Sequence, residues 1–419
     1  MRFLHAADLH IDSALKGLRR YDGAPETDVA GATREALKNL VQTAIREKVD
    51  FVLLAGDVYD RDWKDYNTGL FFVSQVQALA SQGIRVIAIT GNHDAVSQIT
   101  KALRLPEGVD YLNHDKSQTI KIPVLKVAIH GRGYATRWEK ENLVPHYPEP
   151  VLGYFNVGLL HTSADGRATE HETYAPCSVD DLERKGYDYW ALGHIHQRMA
   201  LSEKPYILFP GCIQGRHIKE TGPKGCTLVE VVDNDIVSVT PVELDVIRWY
   251  RCDVDAAGLD TPETVLEAVG RDLAREAQAI GGRTLAARVC VTGRTAAHDD
   301  FWRDMERWVN EVRNTATQAA PGQIWIEKVS IETRPMTAEV PEGPKAELIA
   351  SVQAMQGDLK QLAADFGATT ELGAINHLVA RLPREAREAL DLQNGDITKR
   401  LLEDVQSVLL AKLTESAPT

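Results

Sequence analysis

The chain has 419 residues, of which 44% are hydrophobic, so it can bury more than one core and is not expected to be disordered. Its 47 basic and 60 acidic residues give a formal net charge of −13, which argues against a protein that covers nucleic acid indiscriminately through a basic surface. A nuclease is not excluded, because a local groove and metal ions can supply positive charge. The five cysteines form no Cys-x-x-Cys pair, and no apolar run approaches the ~18 residues of a membrane span. We expect a cytoplasmic protein with free thiols and no membrane association.

Residues 1–243 alternate apolar runs of strand length with helical segments. Between residues 37 and 45, apolar side chains recur at helical spacing, which predicts a helix. Four apolar runs predict strands: Phe51–Ala55, Arg85–Ile89, Val124–Ile129 and Val157–Leu160. This pattern is typical of an α/β domain with largely buried sheets.

A second, smaller α/β unit is predicted over residues 244–333. It contains, in order, a strand at 247–254, a helix at 262–280, a strand at 285–291, a helix at about 298–315 and a strand at 324–331. A linker with three prolines and a glycine is predicted at 334–345. Residues 346–419 are predicted to be helical, because large apolar residues from Leu348 to Phe366 are spaced 4, 3, 4, 3, 4, and Ile397 to Val408 follow a similar pattern.

Five short motifs carry metal-ligating side chains, and four of them follow a strand-like run. Any one alone would more often be a turn, a helix cap or a buried histidine, but ligands collect beyond the carboxyl ends of α/β strands. One intervening residue on extended backbone places both ligands of Asp-x-His or His-x-His on one side. Mixed imidazole and carboxylate ligands suit Mn, Fe or Zn. The motifs are Asp8-Leu9-His10, Gly56-Asp57, Gly91-Asn92-His93-Asp94, His161 and Gly193-His194-Ile195-His196.

This set of motifs resembles the calcineurin-like metallophosphoesterase superfamily. The resemblance implies two divalent ions, with Mn²⁺ the first expectation and Fe, Zn or Mg as alternatives. One ion would be held by Asp8, His10, Asp57 and His196, and the other by Asp57, Asn92, His161 and His194, so that Asp57 bridges them. It also implies that His93 contacts the phosphate and protonates the leaving oxygen.

The segment Gly56-Asp57-Val58-Tyr59-Asp60-Arg61 also matches a pattern of the protein phosphatases in this superfamily. That likeness implies that Asp60 orients the catalytic His93 and that Arg61 binds phosphate. For Asp60, an ordinary turn or helix-cap role stays equally open. The phosphatases have an arginine where this chain has Thr90, so their second phosphate contact is missing here.

Over nearly its full length the chain resembles the SbcD-type DNA-repair nucleases, and within them the YhaO-like branch. The resemblance rests on residues 7–13, 158–162, 187–196 and 210–225. It implies a four-layer α/β/β/α sandwich at 1–243, a small α/β capping domain at 244–333, and a C-terminal helical region that docks on an SbcC-like coiled-coil ATPase. The helical faces could equally pack on one another. Arg216 and His217 could contact the DNA backbone, or belong to a solvated hairpin loop.

We therefore expect a two-metal phosphodiesterase that acts on DNA as an exonuclease or endonuclease in repair, and a homodimer stays open. The alternative is a phosphoesterase for small-molecule or cyclic nucleotide diesters. A non-enzymatic scaffold ranks third, because the metal-ligand set is complete.

Overall fold

A computed structural model describes residues 1–18, 21, 25–27, 29–60, 66–95, 104–164 and 174–336. The chain divides into two compact units. The first comprises Met1–Arg251, Leu273–Arg288 and Ala320–Lys328, and the second takes in Cys252–Asp272, Val289–Ala319 and the chain from Val329. The predicted helical region at 346–419 and most of the predicted linker lie outside the described residues, and the domain boundaries stay predictions.

The first unit contains two six-stranded sheets. The strands of the first are Arg2–Ala6 (β1), Phe51–Ala55 (β2), Arg85–Ile89 (β3), Val109–Tyr111 (β4), Gly225–Val232 (β11) and Asp235–Glu243 (β12). Those of the second are Gln118–Ile122 (β5), Val127–Gly131 (β6), Phe155–His161 (β7), Tyr189–Gly193 (β8), Met199–Glu203 (β9) and Tyr206–Phe209 (β10). The strand orders are β12-β11-β1-β2-β3-β4 and β5-β6-β7-β8-β10-β9. The central pairs β1-β2-β3 and β6-β7-β8 are parallel, so their carboxyl ends lie at one edge of each sheet.

The two sheets pack face to face around a buried apolar core. Alternate strand residues point to opposite faces, so Leu53 enters this inner core while its neighbours Val52 and Leu54 face outward. Within the core, the rings of Phe3 and Phe51 stack with centroids 4.9 Å apart. The sheets thus shield each other's apolar faces from water.

Helices cover the outer faces of both sheets. Helices Ala32–Arg46 (α1) and Tyr66–Ala80 (α2) pack on the first sheet through a shared apolar cluster. On the second sheet, Leu182 of the helix Val179–Arg184 (α3) packs beside Trp190. The layers are therefore α/β/β/α, and the predicted fold class is confirmed.

The strand predicted at Val124–Ile129 is partly wrong. Residues Pro123–Leu125 form a short 3-10 turn, and the strand begins only at Val127. The cause is a hairpin, since Ile122 of β5 pairs with Val127 of β6 and the residues between them must reverse the chain. Val124 is consequently 90% exposed although it belongs to an apolar run.

The remaining described elements follow the predicted order. They are Ile247–Asp255 (β13), Pro262–Ala279 (α4), Thr284–Arg294 (β14), His298–Arg303 (α5), Met305–Ala319 (α6) and Ile324–Arg334 (β15), and the strands form a sheet in the order β13-β14-β15. The single helix predicted at 298–315 is two helices. The chain breaks at Asp304, whose carboxylate accepts the Arg307 N–H and caps α6.

None of the helices in the described parts of the chain has both the length and the apolar character needed to cross a bilayer. All five cysteines are buried free thiols, as expected from their spacing.

Candidate metal centre

The predicted ligands meet where strands of both sheets end. Each of them either follows a strand at its carboxyl end or is the last residue of a strand. Asp8 and His10 follow β1, Asp57 follows β2, Asn92 follows β3, His161 lies in the last position of β7, and His194 and His196 follow β8. All seven side chains are buried, and the structure brings them together at one edge of the sandwich.

The backbone at four of these residues is not extended, contrary to what the Asp-x-His spacing suggested. Asp8, His10, Asp57 and His194 have φ values of 53°, 43°, 53° and 108°. Such conformations cost non-glycine residues about 1–3 kcal/mol each and persist only where the surroundings impose them. Here the two loops hold each other, since the Asp8 N–H donates to Gly56 O (3.1 Å) and the His10 N–H to Asp57 O (3.0 Å).

Glycine at position 193 permits the close approach of the two sheets at this edge. A Cβ on Gly193 would overlap the carbonyl oxygen of Ala55. That same carbonyl accepts a hydrogen bond from His161 Nδ1 at 2.8 Å. The contact between β2 and β8 and the orientation of His161 therefore depend on residue 193 having no side chain.

One group of ligands consists of Asp8, His10 and His196, whose ligand atoms all lie within 4.8 Å of one another. The Nε2 atoms of His10 and His196 are 3.2 Å apart, and Asp8 Oδ1 is 3.9 Å from His196 Nε2. Two imidazole nitrogens and a carboxylate oxygen this close together would suit a shared divalent ion.

A second group consists of Asp8, Asp57 and His161, with Asn92 beside it. His161 Nε2 lies 2.9 Å from Asn92 Oδ1 and 3.5 Å from Asp57 Oδ2. Because His161 Nδ1 donates to a backbone carbonyl, Nε2 of the neutral ring is an acceptor facing two acceptor oxygens. A cation at this point removes the conflict.

The charges at the centre indicate the same requirement. Burial lowers the pKa of His161, but Asp57 and Asp8 outweigh it and raise that pKa to about 9. Burial also raises the pKa of Asp8. A proton on His161 thus supplies charge that two buried carboxylates demand, and metal binding would displace it. The donor set fits divalent cations.

His194 lies beside the second group. Its backbone N–H donates to both carboxylate oxygens of Asp8, at 3.2 and 3.0 Å. Its ring contacts the ring of His161, with centroids 5.3 Å apart.

Asp57, a member of the second group, also reaches the first. Its Oδ2 is 3.9 Å from His10 Nε2 and 3.5 Å from His161 Nε2, and its Oδ1 accepts the His93 N–H at 2.9 Å. Burial by itself would raise the pKa of Asp57, but His161, His93 and His10 lower it well below its usual value. An ionised carboxylate within reach of both groups has the position that a bridging ligand requires.

His93 and Asp60 form a pair beside these groups. His93 Nδ1 lies 2.8 Å from Asp60 Oδ1, and Ser13 Oγ donates to Asp60 Oδ2 at 2.9 Å. Burial lowers the pKa of His93, yet Asp60 and Asp57 raise it above its ordinary value. The imidazole is thereby held by a carboxylate and favours its protonated form.

Arg216 reaches the same region, whereas Arg61 lies outside the described residues. Arg216 Nη1 is 3.9 Å from Asp60 Oδ2, and Nη2 is 3.7 Å from Glu220 Oε1. His217 Nε2 is 3.6 Å from the same Glu220 oxygen. The loop predicted to contact substrate thus lies against the metal centre, with Arg216 nearer to it than a solvated hairpin would place it.

Two carboxylates of the centre were not predicted. Glu220 Oε1 accepts a hydrogen bond from His196 Nδ1 at 2.6 Å. Asp94 accepts the N–H groups of Val58 (2.9 Å) and Tyr59 (2.8 Å) and so fixes the loop after β2. Asp94 ends the Gly-Asn-His-Asp motif, which is a usable signal, but nothing in the sequence links Glu220 to His196.

Comparison with known families assigns most of the described chain. Residues 1–198 match the model for calcineurin-like phosphoesterase, and residues 249–334 match the model for the middle domain of metallophosphoesterase YhaO. Among solved structures, a dimetal phosphatase from Danio rerio aligns with a TM-score of 0.36 and 13% identity, covering 58% of this chain and 97% of that one.

Curated relatives give the same assignment. The chain is 36% identical over 259 residues to an uncharacterized metallophosphoesterase YhaO of Bacillus subtilis (61% of this chain, 63% of the relative). It is 28% identical over 232 residues to a component of the nuclease SbcCD of the same organism (47% and 57%), and 25% identical over 269 residues to a DNA double-strand break repair protein Mre11 of Sulfurisphaera tokodaii (59% and 64%). In each case the chain spans less than two thirds of the relative's length. Residues 1–198 therefore belong to the calcineurin-like phosphoesterases, and residues 249–334 to the YhaO-type middle domains.

Proposed function

We propose that this protein is a two-metal phosphodiesterase that cleaves DNA. Calcineurin-like phosphoesterases bind two divalent metal ions, and the described residues offer His and Asp groups suited to them. We assign Asp8, His10, Asp57 and His196 to one ion and Asp57, Asn92, His161 and His194 to the other, with Mn²⁺ as the native metal. The observation that carries the proposal is the position of Asp57 Oδ2 between His10 Nε2 and His161 Nε2.

The chain's own residues would position the substrate and move the proton. Two divalent ions held by these residues would supply positive charge that orients the phosphate and stabilises the attacking and leaving oxygens. His93, held by Asp60, gives its proton to the leaving oxygen. Arg216 would contact a phosphate oxygen, which is supported by its buried Nε atom, for which the described residues offer no hydrogen-bond partner.

DNA as the substrate is supported by the relatives rather than by the average charge of the chain. Proteins named as part of a nuclease and as double-strand break repair proteins match this chain at 25–28% identity. By analogy we propose that the chain acts with an SbcC-like ATPase, and that the region at 346–419, which lies outside the described residues, docks on it.

The test is hydrolysis of single-stranded DNA, double-stranded DNA and bis-p-nitrophenyl phosphate, with Mn²⁺ and with chelator. Asp57→Asn, purified identically, controls for a contaminating nuclease. DNA cleavage that requires metal and disappears in the variant is expected. Hydrolysis of the small diester or of cyclic nucleotides, with DNA left intact, would instead make the protein a small-molecule phosphodiesterase.

A further inference from the structure

An aromatic row leads from the protein surface to the metal centre. Trp138 is 54% exposed, and its ring lies 5.8 Å from that of Tyr174, tilted by 35°. The buried Tyr174 ring in turn meets His194 edge to face at 5.4 Å. A single exposed aromatic residue needs no explanation, but this one is linked through one intervening ring to a proposed metal ligand.

A guanidinium group accompanies the exposed ring. The Arg137 guanidinium carbon lies 5.4 Å from the centre of the Trp138 ring. Its Nε is buried and finds no hydrogen-bond partner within the described parts of the chain. Glu139, the acidic residue two positions further along the chain, is paired with Arg132 at 3.8 Å. An indole that is more than half exposed and a guanidinium with an unused donor thus lie together.

We propose that Trp138 stacks on a nucleobase flanking the scissile phosphate and that Arg137 contacts the neighbouring backbone phosphate. The inference rests on the proposed phosphodiesterase function and specifies its substrate. A ligand that places a phosphodiester at the metal centre, a planar ring on Trp138 and a further negative charge at Arg137 is a nucleic acid strand. Stacking of bases on aromatic side chains tolerates any sequence, because every base has a π face.

The strand must be single at this point. A base paired inside a duplex presents its edge in a groove, whereas its faces are covered by its neighbours. Trp138 can therefore stack only on a base at an end, in a loop or in a single strand. This predicts a preference for single-stranded over fully paired segments next to the cut.

The test compares a labelled single-stranded oligonucleotide with an abasic oligonucleotide of equal length. Binding is measured by fluorescence anisotropy on the metal-loaded protein, with oligonucleotides whose phosphorothioate linkages resist cleavage, for the wild type, Trp138→Ala and Trp138→Phe. We expect Trp138→Ala to weaken binding of the base-containing strand about 5- to 150-fold, the equivalent of the usual worth of one stacked base, and to leave the abasic strand unchanged. Trp138→Phe should retain most of the affinity.

Leu152→Ala is the control, because Leu152 is 95% exposed and precedes the amino end of β7, whereas the centre lies at its carboxyl end. Arg137→Ala should weaken both oligonucleotides equally and reduce the salt dependence by about one phosphate contact. Three outcomes would overturn the stacking role. The wild type could bind the two oligonucleotides equally, it could bind neither, or Trp138→Ala could lose affinity equally for both. Metal-dependent hydrolysis of bis-p-nitrophenyl phosphate, run in parallel, reports on the phosphodiesterase function independently.

Discussion

Glu220 Oε1 accepts a hydrogen bond from His196 Nδ1 at 2.6 Å, while the opposite ring nitrogen, Nε2, faces His10 at 3.2 Å. A carboxylate on Nδ1 fixes the tautomer whose Nε2 lone pair is available to a metal. We therefore predict that Glu220 positions His196 for metal binding without being one of the proposed ligands itself.

Glu220→Ala should weaken metal binding about 10- to 100-fold, the usual cost of losing such a partner. Glu220→Gln, whose amide oxygen can still accept the hydrogen bond, should lose less. Calorimetric titration of the metal-free protein with Mn²⁺ measures both. Glu230→Ala is a matched control, since Glu230 pairs with Arg2 at the surface. Wild-type affinity in Glu220→Ala would refute the positioning role.

His93 and Asp60 should behave as one unit, because a 2.8 Å contact joins them. We expect His93→Ala to keep both metals and to lose about 10²- to 10⁴-fold in rate, the usual contribution of a general acid. The loss should shrink for diesters with good leaving groups, which need little protonation. This prediction is tested by measuring the rates on DNA and on bis-p-nitrophenyl phosphate together with the metal content of the variant.

A double-mutant cycle tests the coupling of that pair. Asp60→Asn alone should slow the reaction, but in the His93→Ala background it should add almost nothing, because its effect acts through His93. Additive losses would mean that Asp60 has a separate role, such as holding Ser13 or Arg216 in place.

The ligand set can be predicted from the sequence because each ligand follows a strand or is its last residue. Strands can be recognised as apolar runs such as Phe51–Ala55 and Arg85–Ile89, and the structure confirms both of these. It does not predict the left-handed backbone at Asp8 and His10, which arises from hydrogen bonds to a loop almost 50 residues away. Contacts of that kind leave no local pattern. For the same reason Glu220, 24 residues from His196, could not be assigned to its partner.

Asp57→Asn tests the proposed bridging ligand. An amide carries no charge and cannot serve two cations as a carboxylate does, so we expect the variant to hold at most one ion per chain and to lose nearly all turnover. Elemental analysis of the purified protein counts the ions. Retention of two ions together with wild-type activity would show that Asp57 does not bridge.

A chain that ends before Pro341 lacks the region at 346–419 but keeps every proposed ligand. It should therefore bind both metals and hydrolyse bis-p-nitrophenyl phosphate at the full-length rate, while losing association with an SbcC-like ATPase in size-exclusion chromatography. An insoluble protein, or one that melts many degrees lower, would show that the removed region is structural and does not serve only for docking.

Gly193→Ala should damage the metal centre by forcing the two sheets apart. The added methyl group would overlap the Ala55 carbonyl, which is backbone and cannot rotate away, and which also orients His161 through its Nδ1. Overpacking of this kind typically costs about 1–3 kcal/mol, so thermal melting should fall by several degrees and Mn²⁺ affinity should fall with it. Gly153→Ala separates the two effects, because Gly153 has a φ of 76° but open space around it, and its substitution strains only the backbone. That control should lose stability while its metal affinity stays at the wild-type value. Unchanged Mn²⁺ affinity in Gly193→Ala would mean that the approach of β2 to β8 is not what holds His161 in position.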